Sequence, residues 1–350
     1  MVSHPLLQFK NLVFKGGGVR GVAYIGAVSV LEREGVIDCV RRLCGTSSGA
    51  IIAAHIALGG KADQLRTEMS RELLGGLLDG SAWPVRDFTR LIRDFGWFRG
   101  KRLSIWLKRH VEEVSGQHNL SFGKLGQLAH DNPGRYKNLT VIATNVTSQC
   151  PYVFNASNTP DALVSEALRA SISIPFLFAA TRLRSGELCV DGGLTWNYPI
   201  NIYDDIRWLS HKDDYKLYTF LDHPAADNKG RFYNKETLGL MVETRSEVWN
   251  RPKVINGKPG NIWSFPSYLK AMIGLMTDVT TNNFLNLPDW QRTIFIEAHG
   301  VRATDFDLPE EKLEKLVKSG EDAAREYIGW FQSRDNTPLN RIETPTVACA

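Results

Sequence analysis

The sequence predicts an α/β fold of three layers, in which a mostly parallel central sheet is covered by helices on both faces and interrupted by helical insertions. Two observations lead to this prediction. The first is a pair of consecutive strand, glycine turn and helix units near the N-terminus. The second is the return of β-branched and aromatic runs later in the 350-residue chain, separated by helical patterns. Alternating strands and helices are typical of α/β proteins with parallel sheets.

The first unit begins with the short apolar run NLVF, residues 11–14. A glycine cluster follows, and residues 19–35 then carry apolar side chains at mostly helical spacing, with Gly35 as a candidate C-cap. The second unit repeats this order with an apolar run that ends at Cys44, a tight turn, and an Ala- and Ile-rich helix that ends at Gly59. Ligand sites in such folds lie at the carboxyl ends of the strands, where both glycine turns stand.

Later runs supply the remaining elements. A helix is predicted within DALVSEALRASISIPFLF, followed by a turn that Pro175 terminates. The predicted strands, which share β-branched and aromatic residues, are NLTVIATNVTS, PYVFNAS, ELCVDGG, KLYTFLD and QRTIFIEAHG.

We expect one domain over residues 1–350, because no repeat or low-complexity linker divides the chain. Its chemistry-bearing core covers about residues 9–201. Residues 61–126 form a predicted helical, aromatic and basic cap segment, and residues 309–332 have one apolar helical face, which indicates a packing helix.

Composition excludes several classes of protein. A formal net charge of +4, with 43% hydrophobic and 23% charged residues, indicates an ordinary globular chain and gives no basis for nucleic-acid binding. The five cysteines are widely spaced without a Cys-x-x-Cys pair, so we expect free thiols and no metal site. No signal peptide and no apolar run of about 20 residues is present. We therefore predict a cytoplasmic protein, with export that needs no signal peptide left open.

The stretch CGTSSGA contains the spacing Gly-x-Ser-x-Gly at Gly45, Ser47 and Gly49. Glycines at both positions allow a sharp strand-to-helix turn that exposes the intervening serine at a helix N-terminus, where the helix dipole favours negative charge. A turn of small packing residues would give the same string. Ser47 stands centrally between the glycines, so we interpret Ser48 as a small residue that allows close packing.

Two further motifs follow predicted strands. GGGVRG, Gly16 to Gly21, is a glycine loop whose backbone N–H groups suit a phosphate or an oxyanion, although it lacks the ending of a P-loop. DGG, which begins at Asp191, projects a carboxylate from a strand end, or alternatively forms a hairpin turn. Together the three motifs supply a nucleophile, an oxyanion donor set and a carboxylate at one edge of the sheet.

The order of these motifs resembles the patatin-like phospholipase family. The family pattern of a Gly-Gly-Gly-x-Arg/Lys-Gly loop, a Gly-x-Ser-x-Gly turn and a later Asp-Gly-Gly/Ala is matched, and ASISIP, residues 170–175, resembles the family's Ala-Ser-x-x-x-Pro stretch. The resemblance covers about residues 9–201, with fainter similarity in RTIFIEAHGVRATDFDL near the end of the chain. It implies a patatin-like α/β/α fold.

The resemblance also implies a Ser-Asp dyad that works without metal or cofactor. Ser47 would attack the acyl carbonyl, and Asp191 would be its base. The backbone N–H groups of Gly16, Gly17 and Gly18 would surround the oxyanion. Arg20 would steady that loop or bind a lipid phosphate.

Other residues near these motifs have alternative interpretations. A free aspartate is a weak base for a hydroxyl, so the site must bury Asp191 to raise the proton affinity of its carboxylate. His55 lies eight positions beyond Ser47 in the following helix, and we expect it to be a structural residue that points away from the turn. Asn197 and Pro199 match the family's Asn-x-Pro spacing and suggest ordering of the loop.

The implied activity is hydrolysis of fatty-acyl esters of phospholipids, lysophospholipids or neutral lipids, with peripheral membrane contact. Two segments combine aromatic residues with an interfacial pattern, Trp83 to Arg109 and Ile262 to Asp278, and packing within the protein is the alternative for both. A non-hydrolytic lipid- or phosphate-binding module and an acyltransferase with the same dyad are the alternative functions. Protein partners are unknown at this stage.

Overall fold

The computed structural model describes residues 7–72, 96–209, 233–243, 287–305 and 308–341, and every structural statement below concerns those residues. The predicted strand KLYTFLD lies outside them.

The sheets contain ten described strands. They are β1 (Asn11–Phe14), β2 (Arg42–Thr46), β3 (Gly96–Phe98), β4 (Asn138–Asn145), β5 (Cys150–Phe154), β6 (Phe176–Phe178), β7 (Thr181–Arg182), β8 (Leu188–Asp191), β9 (Thr237–Glu243) and β10 (Thr293–Glu297).

Ten α-helices are described, together with 3-10 helices at Gly18–Val22 and Ile206–Trp208. They are α1 (Ala23–Arg33), α2 (Val36–Cys39), α3 (Ser48–Ala57), α4 (Ala62–Glu72), α5 (Lys101–Ser115), α6 (Phe122–Asp131), α7 (Val164–Ser171), α8 (Gly193–Trp196), α9 (Leu287–Gln291) and α10 (Glu310–Gln332).

The main sheet is mixed, with its parallel part at the centre. Its order is β10-β9-β1-β2-β4-β8-β7, and β5 pairs with the other edge of β4. Strands β10, β9, β1, β2 and β4 are parallel, whereas β5, β7 and β8 pair in antiparallel fashion. Strands β3 and β6 form a separate parallel pair. The predicted α/β fold with a mostly parallel sheet is confirmed.

Successive strand residues face opposite sides of the sheet, as period-2 geometry requires. Leu12 and Phe14 of β1 join the larger apolar cluster, which α1, α3, α5, α7 and α10 cover. Val13 points to the other face, which is packed by Tyr198, Ile200 and other residues of the segment that includes α8. The sheet is therefore covered on both faces, and the residues of α10 predicted to form an apolar face are buried in the larger cluster.

Several findings differ from the sequence predictions. The short strands β3, β6 and β7 were not predicted. Strand β9 was not predicted either, although it pairs with both β1 and β10 and so belongs to the parallel centre of the sheet. Strand β2 runs two residues past Cys44, to Thr46. Cys39 is disulfide-bonded, whereas Cys44, Cys150 and Cys189 are free thiols, because chain spacing alone does not indicate which cysteines meet in space.

The cap segment predicted at residues 61–126 contains α4, β3, α5 and the first half of α6. Trp106 of α5 is buried in the apolar cluster and stacks on His110, so this tryptophan of the first candidate membrane segment packs internally. Residues 83–95 of that segment, and all of residues 262–278, lie outside the described residues. No described helix is both long and apolar enough to span a bilayer.

Candidate active site

Strand register explains how Ser47 and Asp191 meet, although 144 positions separate them. Along one edge of β4, strand β2 pairs in parallel up to Thr46 opposite Ile142. Strand β8 then takes over the same edge in the opposite direction, with Asp191 opposite Ala143. The residue that follows β2 and the last residue of β8 are therefore adjacent.

The turn at Ser47 is strained in the manner of a nucleophile elbow. Ser47 has φ 53° and ψ −127°, a conformation that non-glycine residues rarely adopt. The flanking glycines make the turn possible by close approach: a Cβ at Gly49 would lie 2.6 Å from the carbonyl oxygens of Phe14 and Lys15, and one at Gly45 would clash with the Gly49 backbone. The turn holds Ser47 between β2 and the N-terminus of α3.

The two side chains form a short hydrogen bond in a buried setting. The Ser47 hydroxyl donates to Asp191 Oδ2 at 2.6 Å, and the Gly193 N–H donates to Asp191 Oδ1 at 2.7 Å. Burial raises the pKa of Asp191 to about 6, against the lowering effect of these two hydrogen bonds. The carboxylate is thus a stronger base than a free aspartate and is still mostly ionised at neutral pH.

Ser171 contacts the Ser47 turn and was not among the predicted site residues. The Ser47 N–H donates to Ser171 Oγ at 2.8 Å, and that hydroxyl donates to the Ile142 carbonyl at 2.6 Å. Ser171 is fully buried at the end of α7. It is the first of the two serines in the ASISIP motif, so the motif was the available signal, but its contact with Ser47 depends on the tertiary fold.

The three glycine N–H groups predicted to surround an oxyanion are not equivalent. The Gly16 N–H donates to the Asn197 carbonyl at 3.0 Å, and the Gly17 N–H donates to Ser48 Oγ at 3.2 Å. The Gly18 N–H has no acceptor among the described residues. Gly18 has φ +56°, and a Cβ there would clash with the Ala303 carbonyl, so this position requires glycine.

Arg20 is turned into the protein. Its Nε donates to the Val301 carbonyl at 2.7 Å, and its NH1 lies 3.7 Å from Glu243 Oε2. The guanidinium is buried. Of the two roles expected for Arg20, these contacts favour steadying of the loop over binding of a lipid phosphate.

The neighbours of the dyad are held by contacts of their own. Ser48 is buried as the acceptor of the Gly17 N–H, and a Cβ at Gly21 would lie 2.7 Å from Ser48 Oγ, which agrees with its interpretation as a packing residue. Asn197 is buried, and its carbonyl holds the first glycine of the loop.

His55 is engaged away from the turn. Its Nδ1 lies 3.3 Å from His110 Nε2, and its Nε2 lies 2.8 Å from the Lys61 carbonyl. His110 Nδ1 in turn lies 2.5 Å from Glu68 Oε2. These contacts leave His55 no part in the dyad. In the described part of the chain, no group of three or more His, Cys, Asp or Glu side chains is arranged to hold a metal ion.

Comparison with known proteins agrees with this architecture. A family model described as patatin-like phospholipase matches residues 12–204, more than half of the chain. YqhO of Bacillus subtilis, an uncharacterized protein, is 28% identical over 319 residues, which cover 88% of this chain and 94% of YqhO. Triacylglycerol lipase ptl3 of Schizosaccharomyces pombe is 31% identical over 175 residues, which cover 49% of this chain and 34% of the lipase.

Among solved structures, VipD from Legionella pneumophila shares the fold with a TM-score of 0.52 at 18% identity, and the match covers 92% of this chain and 67% of VipD. The chain spans less than two thirds of the length of several curated relatives. The matched region contains the glycine loop, the Gly-x-Ser-x-Gly turn and the Asp-Gly-Gly turn. The chain therefore belongs to the patatin-like phospholipase family of lipid hydrolases.

Proposed function

We propose that this protein is a lipid acyl hydrolase of the phospholipase A or lysophospholipase type, which works through a Ser47–Asp191 dyad and an acyl-enzyme intermediate. The observation that carries the proposal is the 2.6 Å hydrogen bond from a serine in a strained turn to a buried aspartate whose pKa is raised to about 6. A hydroxyl needs an adjacent base to become a useful nucleophile.

In the first half of the reaction, the Ser47 oxygen attacks the ester carbonyl carbon and its proton passes to Asp191. The carbonyl oxygen becomes an oxyanion, and the glycine loop supplies N–H donors to it, chiefly Gly18, with Gly17 able to turn from Ser48. Collapse of the tetrahedral intermediate breaks the carbon–oxygen bond of the leaving alcohol. Asp191 returns the proton to that alcohol, and the acyl group stays on Ser47.

In the second half, water replaces the alcohol. Asp191 takes a proton from the water as its oxygen attacks the acyl carbonyl, and the same loop receives the second oxyanion. When this intermediate collapses, the Ser47 oxygen regains the proton and a fatty acid leaves. If an alcohol enters instead of water, the same steps produce acyl transfer.

The substrate class is proposed from two comparisons. The family model is named for phospholipases, and one relative is named a triacylglycerol lipase, so phospholipid and neutral lipid are the two classes to compare. Both are presented at an interface, so we propose that the protein contacts membranes peripherally while it works.

Product analysis tests this proposal. Vesicles of defined phospholipids and emulsions of triacylglycerol are incubated with wild type, Ser47→Ala and Ser48→Ala, and products are identified by mass spectrometry. We expect fatty acid and lysophospholipid from wild type, a loss of about 10⁴-fold or more in Ser47→Ala, and a smaller loss in Ser48→Ala.

Three other outcomes would each favour a different function. Equal release by wild type and Ser47→Ala would reject the enzyme proposal and favour a binding module. Acylated alcohol in place of fatty acid would identify an acyltransferase. Release from triacylglycerol alone would reject phospholipid as the substrate and retain the dyad.

A further inference from the structure

Two buried cations, one just before the glycine loop and one within it, converge on one carboxylate. Lys15 immediately precedes the loop and Arg20 lies within it. The Lys15 Nζ is 2.6 Å from Glu243 Oε1, and Arg20 NH1 is 3.7 Å from Glu243 Oε2. Relative exposures are 3% for Lys15, 7% for Arg20 and 3% for Glu243, so this cluster is inside the protein.

Strand lengths explain why Glu243 reaches the loop. Strand β1 ends at Phe14, which is in register with Leu240 of the parallel strand β9. Strand β9 continues for three more residues to Glu243, about 10 Å at the rise of a parallel strand. The end of β9 therefore runs alongside the loop that follows β1.

Residues 301–303 also support the glycine loop. The Val19 N–H donates to the Ala303 carbonyl at 3.0 Å, and Arg20 Nε donates to the Val301 carbonyl at 2.7 Å. Gly18 packs against the Ala303 carbonyl so closely that a side chain would not fit. Val301 and Ala303 belong to RTIFIEAHGVRATDFDL, where the sequence has only a faint family resemblance.

The contacts that Glu243, Val301 and Ala303 make with the loop all come from beyond residue 204, where the family match ends. The alignment with YqhO covers 319 residues, too many to fit within the 193 residues of the family match, so similarity to that relative extends past it. The nucleophile turn and the Asp-Gly-Gly turn, in contrast, are held by contacts from within residues 12–204.

Charge gives the cluster a role beyond packing. Two cations and one carboxylate lie together beside the loop whose N–H groups would face the oxyanion. A buried ion pair is a poor source of net stability, because desolvation offsets the attraction. It does fix geometry, since each group is held in one direction.

We propose that Glu243 is a positioning residue for the oxyanion loop, which it holds through Lys15 and Arg20, and that strand β9 and residues 301–303 are required parts of the active site. This inference rests on the proposed function. It adds a residue outside the motif region whose effect is on turnover and which does not touch the substrate.

Two readouts on Glu243→Gln test the proposal. The first is the hydrolysis rate with the best phospholipid, expressed per folded molecule by near-UV circular dichroism. We expect kcat to fall about ten- to hundredfold with KM nearly unchanged, because a displaced loop weakens contacts made in the transition state. The second is amide hydrogen exchange of residues 16–22, which we expect to become faster.

Glu236→Gln is the matched control. Glu236 is also buried and lies just before β9, at the opposite end of the strand from the loop. We expect its kcat and its loop exchange to match wild type. If Glu243→Gln and Glu236→Gln change kcat equally, a general loss of sheet stability explains both and the positioning role is rejected.

Glu243→Gln removes the carboxylate that both buried cations contact and can prevent folding. The double variant Lys15→Gln/Glu243→Gln restores the net charge of wild type while it removes the anchor. We expect it to fold and still to show a reduced kcat and faster loop exchange. Recovery of both to the wild-type values would overturn the proposal.

The readouts separate this inference from the proposed function. If wild type shows no hydrolysis that depends on Ser47, the proposed function fails, while exchange of residues 16–22 still tests the anchor. If wild type hydrolyses lipid and Glu243→Gln retains its kcat and loop exchange, the anchor fails alone.

Discussion

The two ends of helix α3 carry two buried hydrogen-bonded clusters with opposite character. At the N-terminus, Ser47 donates to Asp191 from a strained backbone. About 12 Å along the helix, at its usual rise per residue, His55 contacts His110, which contacts Glu68. Both clusters contain titratable groups, and Ser47, Asp191, His55 and His110 are buried, whereas Glu68 is partly exposed.

The clusters differ in backbone strain and in the completeness of their hydrogen bonds. His55 lies in regular helix, and its two ring nitrogens face the Lys61 carbonyl and His110. The Lys61 carbonyl can only accept, so His55 Nε2 donates to it. Strained residues at a site with a perturbed carboxylate indicate function, whereas relaxed residues with every polar atom partnered indicate structure. Burial of titratable groups alone does not distinguish them.

The largest expected effect is on turnover, from Asp191→Asn. The amide keeps the shape of the side chain and can still accept a hydrogen bond from Ser47, but it cannot take the proton. We expect kcat to fall about 10²- to 10⁴-fold, the usual contribution of a general base. Steady-state hydrolysis of a phospholipid, or of a soluble nitrophenyl ester, measures this.

The control for this variant is at the other end of the same helix. His55→Gln alters a buried titratable residue without touching Ser47, so its kcat per folded molecule is expected to remain near wild type. A comparable loss of kcat in both variants would show that the distinction drawn between the two clusters is wrong.

The next effect is expected from Ser171→Ala, which tests the strain at Ser47. The Ser47 N–H would lose its acceptor, and the turn would be free to relax away from Asp191. We expect kcat to fall about ten- to hundredfold, because misplacement of a nucleophile by about 1 Å can have an effect of that size. Unfolding in urea should show a loss of about 1–3 kcal/mol for the buried group left unpaired.

Ser173→Ala is the matched comparison, because Ser173 is equally buried and hydrogen-bonded. Its hydroxyl forms hydrogen bonds with Arg169 and Thr181, and Ser47 is not among its partners in the described part of the chain. The expected result is a similar loss of stability with much higher kcat than Ser171→Ala. Equal kcat values in the two variants would remove the case for Ser171 as a support of the nucleophile.

The position of the two glycine turns could be predicted from the sequence, whereas the contact of Ser171 with Ser47 could not. The glycine turns followed strands and preceded helices, so their meeting at one sheet edge could be inferred from parallel topology. The contact of Ser171 with Ser47, and those that occupy the N–H groups of Gly16 and Gly17, join distant parts of the chain and leave no local signal.

Strand β9 was missed for a related reason. Its sequence TLGLMVE contains Gly239 in the middle, which weakens a strand pattern. The structure places the Tyr198 ring where a side chain at Gly239 would be, so the glycine serves packing on the second face of the sheet. Because β9 was not predicted, Glu243 was not connected with the glycine loop.

A smaller effect is expected from pH on turnover. Protonation of Asp191, whose pKa is raised to about 6 by burial, removes the base. We expect kcat/KM to be level above pH 7 and to fall about tenfold per pH unit below 6. A soluble ester measured from pH 4.5 to 8 gives this profile. A profile that breaks near pH 4 would mean that Asp191 is solvated as an ordinary carboxylate in the working enzyme.

The smallest expected effect is on the pH dependence of stability, where the two clusters act in opposite directions. Burial raises the pKa of Asp191 from 3.8 to about 6, so the native state binds the proton more tightly than the unfolded chain. Its contribution is greatest below pH 3.8 and is lost as pH rises through 6. Burial, with His110 next, lowers the pKa of His55 from 6.5 to about 4, so its contribution is greatest above pH 6.5 and is lost as pH falls through 4.

Each shift corresponds to about 3 kcal/mol, so over pH 4–6 the two contributions nearly cancel in wild type. Substitution of one of these residues should reveal the pH dependence of stability that the other contributes. In urea unfolding, Asp191→Asn should lose stability on acidification from pH 6.5 to 4 more steeply than wild type, and His55→Gln should lose less than wild type or gain. If the unfolding free energy of both variants depends on pH as it does in wild type, burial does not shift the pKa of either residue as expected. The base strength assigned to Asp191 would then need another source.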